Sequence, residues 1–189
     1  MIGFGQGFQP VCAYNYGAGL YERVKKAFFF TVMVDSSYAL VMMGIILPFA
    51  PELLGIFSKE EAVLKIGIKI LRIQSISFPI LGWVIVSGMF LQNIGRFKRA
   101  TLVSAARQGI CFFPLAAILP YFFGLWGIAL IQPLADIGTF LIALPLGIQG
   151  IRDLSRSIDK VKNENPLYDS KVLTTKELDE IRRDGLKQK

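Results

Sequence analysis

The sequence predicts an all-α integral membrane protein with four complete transmembrane helices and a partial one at its N-terminus. Three observations carry that prediction. The 189 residues are 53% hydrophobic and only 19% charged, with a mean hydropathy of +0.49, which is more apolar than a soluble domain. Long apolar runs alternate with short polar connectors. The basic residues collect in alternate connectors, the pattern of a multi-pass membrane protein.

The first element, residues 1–19, is expected to be the end of a membrane helix. It reads Gly3-Phe-Gly-Gln-Gly-Phe-Gln-Pro10, then Val-Cys-Ala-Tyr, then Asn15-Tyr-Gly-Ala-Gly19. Gly3 and Gly7 are four apart, share a helix face and admit a second helix at close range. Gln6 and Gln9 also share a face, and in a bilayer their amides need partners or a wet cavity. The stretch is therefore either a helix-packing seam or one wall of a polar cavity.

A basic connector, Leu20 to Lys26, leads to residues 27–50, a run of 24 with Asp35 as its one charge, enough for about 36 Å of helix at ~1.5 Å per residue. The polar residues 51–65 form a loop. The next helix is expected over 62–94, with Lys65, Lys69 and Arg72 at the interface and a kink at Pro79. Gly95 to Arg99 is a second basic connector. The third span, 100–123, is interrupted by Arg107, Gln108, Pro114 and Pro120, and Gly124-Leu-Trp-Gly127 makes an uncharged turn with Trp126 at the interface. The fourth span, 127–151, holds Asp136, Pro133 and Pro145. Residues 152–189 are a polar tail, with a short helix expected over 175–184 from the capping-box spacing of Thr174 and Glu177 and from Gly185.

Charge placement orients these spans. Residues 1–151 hold 11 basic and 6 acidic side chains, and residues 152–189 hold 10 and 8, so the tail is nearly balanced and unlike a nucleic-acid-binding arm. Arg23, Lys25, Lys26, Arg96, Lys98, Arg99, Arg152 and Arg156 fall on one side, and the positive-inside rule makes that side and the C-terminus cytoplasmic. The expected location is the plasma (inner) membrane. This parity requires residues 1–19 to cross the membrane, for which they are too short, so Met1 is expected to fall inside a helix whose beginning is missing. Cys12 and Cys111 read as small hydrophobes, histidine is absent, and neither metal nor cofactor is implied.

Several motifs together resemble one family. Gly3-x-Gly5-Gln-Gly-x-Gln-Pro10 followed by Asn15-Tyr-Gly-Ala-Gly and a basic connector is similar to the eighth helix and following loop of the multidrug and toxic compound extrusion (MATE) transporters. Leu71-Arg-Ile73, Phe90-Leu-Gln-Asn-Ile-Gly95-Arg, Ala106-Arg-Gln108 and Gln132-Pro-Leu-Ala-Asp136 resemble that family's segments in the same order. The resemblance covers residues 3–151. It implies a lobe of a twelve-helix, two-lobed transporter with cytoplasmic termini, of which this chain supplies the end of helix eight and helices nine to twelve. It also implies export of organic cations in exchange for protons or sodium, and a missing N-terminal lobe as partner.

Three ionisable residues lie inside the spans, and each costs roughly 2.5–3.5 kcal/mol at mid-membrane unless partnered. Counting from the basic connectors at ~1.5 Å per residue puts Asp35 about 13 Å deep and Arg107 about 12 Å deep, so these two are expected to pair. Asp136 counts to about 24 Å and is expected to lie beyond Arg107's reach, either as an ion-coupling group or as a solvated interfacial aspartate. Gln6, Gln9, Asn15, Gln92 and Gln108, with Tyr38, are candidates for lining a cavity for small organic cations, or for bonding helix to helix.

Two other functions fit the same residues. A lipid-linked oligosaccharide flippase shares the lobe plan but favours more cationic cavity residues than Arg107 alone. A membrane assembly partner without transport of its own is signalled by the balanced tail. An intramembrane enzyme is disfavoured by the lack of histidine, of serine-lysine or paired-carboxylate spacing, and of a phosphate-binding glycine loop.

Overall fold

The computed structural model describes residues 2–57 and 59–164, nearly all of them helical. The elements are α1 (Ile2–Gly17), α2 (Tyr21–Gly55), α3 (Glu61–Ser75), α4 (Phe78–Asn93), α5 (Phe97–Ala105), a π-helical turn (Ala106–Ile110) and α6 (Phe112–Glu164). By length and composition, α2 and the run Phe97–Asn163 each suffice to cross a membrane, and the bent pair α3 and α4 makes a third span. The tail helix expected over 175–184 lies outside the described residues.

Sequence chemistry sets where these helices stop. Gly19 and Gly95 have φ of 73° and 77°, left-handed values that glycine adopts without strain. At each, the next residue's N–H reaches back five residues, Leu20 to the Asn15 carbonyl (2.9 Å) and Arg96 to the Leu91 carbonyl (2.8 Å), the 6→1 bond of a Schellman ending. Both basic connectors therefore open on a helix-stopping glycine. The charged connector Leu20 to Lys26 is itself helical from Tyr21 onward and forms the first turns of α2.

The helix expected over 62–94 is two helices bent by 49°. The break falls at 76–77, between Ser75 and Phe78, and not at Pro79 itself. Proline's ring clashes with the carbonyl four residues back, which here belongs to Ser75, the last residue of α3. Pro79 sits in the first turn of α4, where a missing N–H costs nothing.

The 67-residue run from Phe97 folds back on itself. Arg99 meets Asp153 (3.1 Å), Arg107 meets Asp136 (3.3 Å), and a Cβ on Gly138 would meet the Cys111 sulfur (3.2 Å). Such pairings describe an antiparallel hairpin turning at Gly124 (φ 54°), where a Cβ on Gly127 would overlap the Leu119 carbonyl. Beyond the expected end of the last span at Arg152, the helix continues to Glu164. Leu154 and Ile158, four residues apart on one helix face, are both buried on that extension.

The core gathers around α4, which packs against α1, α2, α5 and α6. Its sequence, FPILGWVIVSGMFLQN, is apolar on every side, as a fully surrounded helix requires. Phe28 of α2 is the hub, with ring centroids 6.5 Å from Phe8, 5.6 Å from Trp83 and 4.9 Å from Phe90. Outward-facing residues such as Phe30, Met33, Val41 and Phe49 are exposed, the surface a lipid solvent demands. The close approach to α1 falls at Gly5, whose added Cβ would lie 2.6 Å from the Met89 sulfur; Gly3 and Gly7, the expected seam, have nothing within 4 Å.

At the end away from the basic connectors, Lys69 lies 5.4 Å from the Trp126 ring and pins α3 to the hairpin turn. Arg72 does more than sit at an interface. Pro51 deprives the Leu47 carbonyl of its helical donor, and Arg72 Nε donates to that oxygen at 2.9 Å. Arg72→Leu is therefore expected to cost about 1–2 kcal/mol in detergent unfolding, and under about 0.5 kcal/mol once Pro51→Ala has restored the donor. Equal costs in both backgrounds would refute the plug. Gly82 is the tightest crossing of α2 and α4, its added Cβ lying 2.9 Å from the Ser36 backbone nitrogen. Gly82→Ala should lower stability by about 1–3 kcal/mol, while Gly44→Ala, in open space, should raise it by up to about 1 kcal/mol.

Candidate functional site

Two irregular elements and α6 itself supply donors to Asp136, which is 1% exposed within α6. Arg107, on the π-helical turn, donates from Nε to Oδ1 at 3.3 Å. Gln132, one turn earlier on α6, donates from Nε2 to the same oxygen at 3.1 Å. Ser77, in the break between α3 and α4, donates to Oδ2 at 2.9 Å. Both carboxylate oxygens are thus engaged, as burial of a charge demands.

Two adjoining cavities open beside this cluster. The larger, about 580 Å³, is walled by Gln74, Ser77, Phe78, Phe112, Gln132 and Asp136 together with Arg107 and Gln108. The smaller, about 310 Å³, is bounded by Gln9, Gln92, Ser104 and Met89, and again by Arg107 and Gln108. The shared residues Ile2, Arg107 and Gln108 join them along a surface of mixed polarity that runs from α1 past the π turn to α6. Its size suits a small ligand, and its polarity comes from amides and a neutralised ion pair.

This arrangement corrects the expected pairing. Arg107 pairs with Asp136 and not with Asp35, which is buried on α2. Depth counted along straight helices misled for an identifiable reason. Arg99 and Asp153 mark a common level, from which Arg107 is 8 residues along its helix and Asp136 is 17 along the other, about 12 Å against about 25 Å at ~1.5 Å per residue. The length of the arginine side chain and the tilt of the helices close that difference.

Of the expected cavity residues, the structure brings Gln9, Gln92 and Gln108 together. Gln6 is exposed and lies outside both cavities. Asn15 donates within its own helix to the Val11 carbonyl at 2.7 Å, and Tyr38 is 53% exposed on α2. Ser77 is not singled out by the sequence, and Gln132 enters it only within the motif Gln132-Pro-Leu-Ala-Asp136. Gln132 stands four residues before Asp136, a spacing that puts both on one helix face, whereas nothing in the chain near Ser77 announces a partner 59 residues away.

If the pair holds the site together, Asp136→Asn strands a partly buried guanidinium. The expected loss is roughly 2–3 kcal/mol, below the 3–5 of a fully buried pair because Arg107 keeps some solvent contact. Combined with Arg107→Gln the losses should fall short of their sum by at least about 1 kcal/mol in detergent unfolding. Strict additivity would rule out the coupling.

Comparison with known proteins agrees with the geometry. The MatE family profile matches residues 1–118, well over half of the chain. The multidrug export protein MepA of Staphylococcus aureus (strain NCTC 8325 / PS 47) is 24% identical over 163 residues, covering 84% of this chain and 36% of MepA. MepA of Staphylococcus saprophyticus is 27% identical over 128 residues, covering 68% and 28%. The MATE multidrug transporter DinF-BH superposes with a TM-score of 0.73 at 32% identity over 77% of this chain and 33% of that one. An outward-facing MATE transporter of the MOP superfamily superposes with a TM-score of 0.74 at 17% identity, a likeness of fold. The chain spans about a third of the length of these relatives. By its matched residues and by its fold, this chain belongs to the MatE family.

Proposed function

We propose that this chain forms part of a multidrug efflux antiporter that exports small organic cations in exchange for protons or sodium, in the plasma membrane with its C-terminus cytoplasmic. The observation that carries the reading is the paired cavity between α1, α4, the π turn and α6. Its one arginine is neutralised by Asp136, so it presents amide oxygens and the rings of Phe78 and Phe112, groups that accept a cation. A flippase for anionic lipid-linked sugars would need uncompensated positive charge there. Alternating access moves one helical lobe against another, so the activity proposed is that of the complete transporter, with the N-terminal lobe as partner.

Asp136 is the coupling group in this scheme. Its Oδ1 accepts from Arg107 and Gln132 and its Oδ2 from Ser77 alone, so a proton or sodium ion arriving at Oδ2 cancels the carboxylate charge, loosens its hold on Arg107 and leaves a positive charge uncompensated beside bound cation. Repulsion between the freed guanidinium and the substrate then favours release. In everted vesicles bearing the complete transporter, ethidium uptake driven by a proton or sodium gradient should fall at least about tenfold with Asp136→Asn and change less than about twofold with Tyr38→Phe. Uptake by Asp136→Asn that matches wild type across pH would remove Asp136 from coupling.

A further inference from the structure

A cavity of about 680 Å³ lies apart from the polar pair, between the first turns of α2 and the extension of α6. Lys25 and Lys26 stand at its edge where the apolar run of α2 begins, and Ser155 and Asp159 face them just past the end of the apolar run of α6. The cavity therefore sits at the level where two helices leave hydrocarbon. Phe29 forms its apolar wall, and Phe29 and Met33, one turn apart, are both exposed on the lipid side of α2.

The charges there are unequal. Glu22 is held by Lys162 at 3.0 Å, and Lys25 reaches the Ser155 hydroxyl at 3.4 Å. Among the described residues that line the cavity, that leaves the ammonium groups of Lys25 and Lys26 against the carboxylate of Asp159. We propose that this cavity binds the headgroup of an anionic phospholipid. The phosphate lies between Lys25 and Lys26, the Ser155 hydroxyl and Asp159 bond the polar end of the headgroup, and an acyl chain runs down Phe29 and Met33. One net positive charge answers one negative lipid, and juxtamembrane lysines favour anionic lipid over neutral. Bound there, the lipid would bridge α2 to the α6 extension, which also meet through Lys162 with Glu22 and through Lys25 with Ser155.

The test uses the full chain in dodecyl maltoside, with melting followed while lipid is added. Dioleoylphosphatidylglycerol should raise the melting temperature at a lower concentration than dioleoylphosphatidylcholine or dioleoylphosphatidylethanolamine. The concentration needed should rise about fivefold with Lys26→Gln and about 25-fold with Lys25→Gln and Lys26→Gln together. Lys98→Gln, an exposed lysine on the other basic connector, should leave it unchanged. Native mass spectrometry should count one retained phosphatidylglycerol on wild type and on Lys98→Gln, and none on the double variant, a readout independent of how stable each variant is. Equal protection by phosphatidylethanolamine, equal protection by inorganic phosphate, or an equal loss with Lys98→Gln would overturn the assignment.

Discussion

A bilayer offers a buried polar group nothing to bond except the protein, and this constraint bears hardest at Asp136. Two departures from regular helix, the α3 and α4 break and the π turn, meet at that carboxylate. The α3 and α4 break supplies Ser77, the π turn supplies Arg107, and α6 supplies Gln132 beside a proline that interrupts its own ladder. Irregular backbone at membrane depth is tolerated where it lines a cavity, and the larger polar cavity is at this place. Breaks, charge and void are thus aspects of one solution. A straight, unbroken bundle of these sequences would keep Gln132 on the same helix face as Asp136 but would lose the break that presents Ser77 and the π turn that carries Arg107.

Around that centre the bundle is held by two different kinds of force. Inside, Phe28 draws α1, α2 and α4 onto one aromatic cluster, and glycines at Gly82 and Gly147 let α2 and α6 come close to α4. At the basic end, Asp153 accepts from both Arg96 and Arg99, and Lys162 holds Glu22. Single exposed ion pairs contribute little, but these join three segments at the level where apolar packing gives out. The extension of α6 past Arg152 is what carries the partners there.

The helices and their order were legible in the sequence because bilayer thickness, apolar run length and basic connectors are strong, local signals. Pro79, Gly95 and Gly124 likewise announce their breaks and turns, though Pro79 acts four residues earlier than its own position. The extension to Glu164 was missed because Arg152, Asp153 and Arg156 mark the end of hydrocarbon and not the end of a helix; Ile151, Leu154 and Ile158 kept the helical spacing throughout. The partner of Arg107 is not legible because depth along a helix says nothing of side-chain reach or tilt. Gln9, Gln92 and Gln108 were readable as polar residues that need company in lipid, but only the fold shows that these three line one cavity, without Gln6, Asn15 or Tyr38.

The π turn at Ala106–Ile110 has a consequence for how the hairpin is read as a sequence of faces. The Cys111 N–H bonds the Ala106 carbonyl five residues back, so this turn holds one residue more than an α-helical turn. Each residue of an α-helix advances about 100° around the axis, so the extra one resets the phase of everything after it. Before it, Ala100 and Val103 are buried in the core that includes α4; after it, Cys111 is brought against Gly138 of α6. Removing any one residue from the turn would leave composition and length almost untouched, yet would rotate the following arm out of register with its antiparallel neighbour. The segment works as a phase adjuster, and alignments of related chains that gap by a single residue here describe a different set of contacts downstream.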